Sequence, residues 1–83
     1  MAEIIVYITE PTEVCTRVTR LLDERRLAHS VVMIETPEEM AELTERTGLQ
    51  RCPIVVIGDT VVGGFNDVRE ADRSGRLAEL ASA

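Results

Sequence analysis

Residues 3–8, EIIVYI, form a near-continuous apolar run rich in β-branched side chains, the pattern of a strand covered on both faces. The run breaks at Pro11-Thr12, and beyond it Val14, Val18, Leu21 and Leu22 recur at helical spacing, with Arg17, Arg20, Asp23 and Glu24 on the other faces. This predicts an amphipathic helix over about residues 13–26, with Thr12 as its N-cap. A second β-branched run, SVVMI at 30–34, predicts another strand. TPEEMAELTERTG then carries a full set of helix signals. Thr36 caps, Pro37 takes the first helical position, Glu39 completes a capping box and Gly48 ends the helix. PIVVI and TVVGG, separated by Gly58-Asp59, predict a hairpin whose turn type stays open. A last helix is expected from Asn66 or Asp67, interrupted at Gly75 before RLAEL, with ASA as a frayed tail.

The order strand, helix, strand, helix, strand, strand, helix implies one right-handed parallel crossover followed by an antiparallel hairpin. The expected result is an α/β domain with a four-stranded mixed sheet, flanked on both faces by three helices. At 83 residues the chain fits one domain, 1–83, that buries roughly 60–65% of its unfolded surface. Met33 and Met40 are core candidates, and His29 is expected at the surface beside the second strand.

Charge and composition narrow the function. Nine basic and fifteen acidic residues give a net charge of −6, which opposes both a phosphate backbone and an anionic membrane surface. One Tyr, one Phe and no Trp leave no stacking platform for bases. Apolar runs of four or five residues fall far short of the roughly 20 that span a bilayer. With no secretory signal ahead of the first strand, the expectation is a cytoplasmic protein with neither nucleic acid nor membrane as partner. The acidic face of Glu38, Glu39, Glu42 and Glu45 is expected to be solvated, with docking of a basic partner as the alternative.

Two cysteines remain as candidate chemistry. Cys15 and Cys52 are too few for a disulfide framework and lack structural-zinc spacing. In a reducing compartment each is either a buried apolar residue or a reactive thiol. With Thr12 at N-cap, Cys15 falls in the first turn, where the helix field favours a thiolate while Glu10 and Glu13 oppose it. Arg17 or Arg51, folded back over the sulfur, would tip the balance.

The pieces VYITEPTEVCTRVTRLLDE, RCPIVVIGD, VVGGFNDV and GRLAEL, in this order and spacing, resemble the glutaredoxin family of the thioredoxin fold. The resemblance spans essentially the whole chain and implies a βαβαββα domain. It also implies thiol-disulfide exchange or electron transfer in cell redox homeostasis. GGF, rather than GGC, is closer to the small redoxins that serve ribonucleotide reductase. The family carries C-P-Y-C at the start of its first helix. Aligned on Tyr7 and Leu21-Leu22, Cys15 stands at the second, resolving cysteine and Thr12 at the first, nucleophilic one. Val14 stands at the family's active-site tyrosine and Thr9 at its glutathione-binding lysine. The dithiol mechanism within one C-x-x-C motif is therefore closed to this chain.

The same resemblance makes Pro53 a cis-proline facing the start of the first helix, which places Cys52 beside the site. Three uses of Cys52 then stand open beside simple packing: a disulfide with Cys15, a soft metal or cluster shared with it, or replacement of the missing nucleophile. The resemblance further assigns Gly64, Phe65, Asn66 and Asp67 to the γ-glutamyl end of glutathione, although helix capping by Asn66 or Asp67 explains the same residues. Arg51 partly offsets the acidic loop around Glu10 and Glu13, which repels the glycyl carboxylate and favours a protein thiol over glutathione. A Thr-x-x-Cys motif also occurs in peroxiredoxins, but there the proline lies further upstream and the chain is about twice as long. The reading is thus an oxidoreductase or electron-transfer protein that acts through Cys15 and Cys52, with Thr12, Val14 and Pro53 lining the site. It needs no cofactor or metal, and its partner is a protein thiol or disulfide, with glutathione a candidate co-substrate. The alternatives are a binding module without redox turnover and, less favoured, a metal or cluster carrier.

Overall fold

The computed structural model describes residues 2–82. In chain order the elements are β1 Ile4–Ile8, α1 Glu13–Glu24, β2 Ser30–Met33, α2 Pro37–Thr47, β3 Ile54–Ile57, β4 Thr60–Gly63, α3 Phe65–Ser74 and α4 Arg76–Ser82. The sheet runs β2-β1-β3-β4. β1 pairs parallel with β2 and antiparallel with β3, and β3 pairs antiparallel with β4. This is the expected mixed four-stranded sheet and a thioredoxin-like α/β fold.

The two central strands divide the core by the period of two that a strand imposes. Ile4, Val6 and Ile8 of β1, with Val55 and Ile57 of β3, face a cluster completed by Val18 and Leu22 of α1, Val68 and Ala71 of α3, and Leu77 and Ala81 of α4. Tyr7 and Ile54 point the other way and join Ile34 and Leu43 under α2, with Ile5 and Val56 packed against them. One layer of α1, α3 and α4 thus covers one face, and α2 alone covers the other.

Four expectations change. Gly75, at φ 84°, breaks the last helix into α3 and α4, so the sheet is flanked by four helices rather than three. The tail is helical as far as Ser82, with Ala81 buried; Ala83 lies outside the described residues. Met33 is 40% exposed and not a core residue, because it lies on the edge strand β2, and Ile34 joins the α2 cluster instead. Met40 packs at the margin of the α2 cluster. His29 is half-buried, its Nδ1 3.0 Å from the Leu27 carbonyl, rather than a plain surface residue. The hairpin turn is also settled. Among the described residues φ is positive at Gly58 but not at Asp59, which is the type II′ pattern that suits the twist of flanking strands.

Candidate thiol site

The site forms where three chain segments meet at one end of the sheet. The first is the start of α1. Thr12 is extended, at φ −128° and ψ 168°, and its hydroxyl accepts the Cys15 N–H at 3.3 Å, the N-cap geometry expected from the sequence. The same hydroxyl donates to the Cys15 Sγ at 3.3 Å, while the Cys15 thiol donates to the Glu10 carbonyl at 3.6 Å. Cys15 is only 7% exposed, and its sulfur is held on both sides. Val14, 42% exposed, lies outside the core stripe that Val18 and Leu22 continue, at the rim of the site. Arg17 does not fold over the sulfur. Its guanidinium pairs with Glu13 at 2.9 Å, one turn back along α1.

The second segment is the loop entering β3. The Cys52–Pro53 peptide bond is cis, and Tyr7 of β1 pairs with Ile54 directly after it. Cys52 is half-buried against the α2 cluster, whereas Cys15 belongs to the cluster on the opposite face. Burial pushes the Cys52 thiol up from its ordinary value, and the charge of Cys15 adds to the shift. Both are free thiols. Arg51 is exposed and forms no ion pair with any described residue.

The third segment joins β4 to α3. A Cβ on Gly64 would stand 3.6 Å from the Pro53 carbonyl oxygen, so this backbone lies directly beside the cis-proline. Gly63, at φ +122°, has the Asp67 carboxyl folded over it, and a Cβ there would come within 2.8 Å of the Asp67 Cγ. The Asp67 carboxylate accepts the Gly64 N–H at 3.0 Å. α3 therefore begins at Phe65, with Gly64 as N-cap, rather than at Asn66 or Asp67. Asp67 does cap, but from inside the helix, and Asn66 is exposed. A glycine N-cap has no side chain for the first-turn N–H groups of α3, which are left open beside Pro53.

Thr12, Cys15, Cys52, Pro53 and Gly64 thus lie in three segments that converge, with Val14 and Phe65 at the margin. Two features escaped the sequence reading. The Glu10 carbonyl is the acceptor for Cys15, which residue types do not announce because the acceptor is backbone. The Gly64–Asp67 bond was within reach, since an acidic side chain three residues after an N-cap can reach back to the N-cap N–H. Among the described residues no three His, Cys, Asp or Glu side chains gather as metal ligands.

Comparison with known proteins bears on the family and the fold. The glutaredoxin family model matches residues 4–62. A glutaredoxin of Pseudomonas aeruginosa is 32% identical over an 84-residue alignment that covers 100% of both chains. One from Neisseria meningitidis serogroup A is 34% identical over 68 residues, 80% of each chain. Among solved structures, a buckwheat glutaredoxin–glutathione complex superposes with a TM-score of 0.85 at 25% identity, covering 98% of this chain and 77% of that one. Glutaredoxin from Brucella melitensis gives 0.83 at 30% identity, covering 98% and 89%. These matches support a function of the thiol-oxidoreductase type. With a family model matched from β1 through β4 and relatives aligned along the whole chain, this protein belongs to the glutaredoxin family.

Proposed function

We propose that the chain is a thiol-disulfide oxidoreductase whose working pair is Cys52 and Cys15, drawn from two segments rather than from one C-x-x-C motif. The observation that carries this reading is the contrast in access. Cys52 is half-buried beside the cis-proline, while Cys15 is buried with both polar contacts of its sulfur taken. Cys52 is the thiol that a partner can reach first, and Cys15 is the thiol that resolves.

In the forward direction the Cys52 thiolate attacks one sulfur of a partner disulfide. A mixed disulfide forms, and the other partner sulfur leaves as a thiolate that takes a proton from solvent. The Cys15 thiolate then attacks the Cys52 sulfur, forming Cys15–Cys52 and releasing the second partner thiolate. Two electrons pass to the partner, and a thiol reductant, two glutathione molecules or a dithiol protein, returns them. For this closure the Cys52 side chain must leave its contact with the α2 cluster, and the Cys15 proton passes to solvent as the Glu10 contact breaks. Gly64 and the open first turn of α3 support a thiol ligand lying along Pro53, with its carboxylate at Phe65 and Asn66. A buckwheat glutaredoxin of the same fold was solved as a glutathione complex, which supports glutathione as a thiol ligand.

The rival reading is a binding module without turnover. It is favoured by Thr12 standing at the nucleophile position and by the upward shift of Cys52. A coupled assay that reduces a small disulfide at the expense of glutathione separates the two. Cys52→Ser is expected to abolish turnover, and Cys15→Ser to leave a slower monothiol reaction that accumulates a mixed disulfide at Cys52. A wild-type protein with no turnover, or a Cys52→Ser variant with full turnover, would overturn the assignment.

A further inference from the structure

α1 and α3 lie side by side on one face of the sheet, and between them runs a shallow groove of about 210 Å³ lined by Arg17, Arg20, Leu21, Glu24, Phe65 and Arg69. Its floor is apolar. Leu21 and Phe65 pack against the core below and reach solvent above. Its walls are basic, with three guanidinium groups against one carboxylate in a chain of net charge −6. Arg17 is held by Glu13, but Arg20 and Arg69 form no ion pair with any described residue. On the opposite face of the sheet, α2 exposes Glu38, Glu39, Glu42 and Glu45. Three of the nine arginines thus meet along this one groove, with Glu24 as its single acidic lining residue.

The groove begins at the thiol site. Phe65 is the first residue of α3, next to the Gly64 that lies against Pro53, and Arg17 follows Cys15 along α1. From Arg17 to Glu24 the helix rises about 10 Å, the length of roughly three extended residues. We infer that the α1–α3 groove docks an acidic segment of the disulfide partner, its carboxylates on Arg20 and Arg69 and an apolar side chain seated on Leu21 and Phe65. This rests on the oxidoreductase reading and names the chemistry of the partner. Guanidinium groups pair with carboxylates through fixed two-point geometry, and the apolar floor excludes water beneath them. Glu13 is paired with Arg17 at 2.9 Å, so the contacts offered to the acidic segment are Arg20 and Arg69, further along the groove from the acidic loop.

The test titrates the reduced, ¹⁵N-labelled protein with the peptide acetyl-EELEFE-amide at low salt, with acetyl-KKLKFK-amide and acetyl-EESESE-amide as controls. Amide shifts are expected along 17–24 and 65–69, with weaker binding of the second control and none of the first. The double variant Arg20→Ser/Arg69→Ser is expected to bind at least about tenfold more weakly, and added salt to weaken the wild type similarly. Its spectrum reports its fold, and its reduction of a small disulfide is expected at the wild-type rate. Equal affinity in the double variant, shifts elsewhere, or equal binding of the basic peptide would overturn the proposal. So would a wild-type dimer that the double variant abolishes, since the occupant would then be the α2 face of a second copy. Failure of the oxidoreductase reading looks different: turnover is absent while the acidic peptide still binds.

Discussion

At the residue scale the chemistry turns on Thr12 and its contacts. Thr12 heads α1 as its cap, holding the Cys15 N–H and touching its sulfur. Thr12→Ala removes both contacts and is expected to cost about 1 kcal/mol, a drop of roughly 4–8 °C in the unfolding midpoint of a domain this small, measured by thermal denaturation. For Cys52 the expected signature is pH. Its thiol is pushed up, by burial first and by Cys15 second, so its alkylation rate should climb with a midpoint above that of an ordinary free thiol. Cys15→Ser should bring that midpoint down. The linkage has a definite sign. The neutral thiol is favoured in the folded state, so its contribution to stability is whole below the ordinary thiol value and lost as pH rises through the folded one. Pattern alone pointed to Thr12 and Cys15, because caps follow from residue type and spacing. It could not show the Glu10 carbonyl over the sulfur, nor that Cys52 packs toward α2.

At the scale of elements, the strands and helices were legible because periods of two and 3.6 persist through this short chain. What stayed hidden was neighbourhood. SVVMI reads like a central strand, yet β2 lies at the edge, so Val31, Val32 and Met33 are exposed while the similar IVVI of β3 is mostly buried. Helix ends carry two further tests. α1 ends with Arg26 in the left-handed region at φ 57°, where its N–H meets the Asp23 carbonyl and Leu27 bonds back to Leu22. A glycine relieves that conformation, so Arg26→Gly is expected to raise stability by about 1 kcal/mol in denaturant unfolding. Nearby, Arg25 clamps Asp72 through two bonds of 2.7 and 2.9 Å and so ties the end of α1 to α3. The bond from Arg25 holds the Asp72 carboxyl below its ordinary value. That contribution is present above the ordinary carboxylate value and lost as pH falls through the folded one. Asp72→Asn should therefore flatten the acid limb of the stability curve.

At the scale of the whole molecule, the sheet separates two surfaces as well as two core clusters. α2 presents Glu38, Glu39, Glu42 and Glu45 on one side, and on the other Arg17, Arg20 and Arg69 flank the apolar floor of the groove between α1 and α3. The thiol site lies at the end of the sheet that both faces share, with Cys15 packed into one cluster and Cys52 into the other. Net charge alone suggested uniform repulsion of anions. The segregation emerges only when α1 and α3 come together, since the spacing of Arg20 and Arg69 along the chain does not announce that they flank one groove. The central claim is that sulfurs from two segments form one redox pair. Its most direct measurement is the thiol count of the monomer, by maleimide labelling and intact mass, before and after stoichiometric oxidised glutathione. The account predicts that both labels disappear together, with the loss of two hydrogens, and that a fragment spanning Cys15 and Cys52 stays joined until reduced. Two thiols that remain labelled after oxidation, or glutathione retained on one cysteine with the other still free, would contradict it.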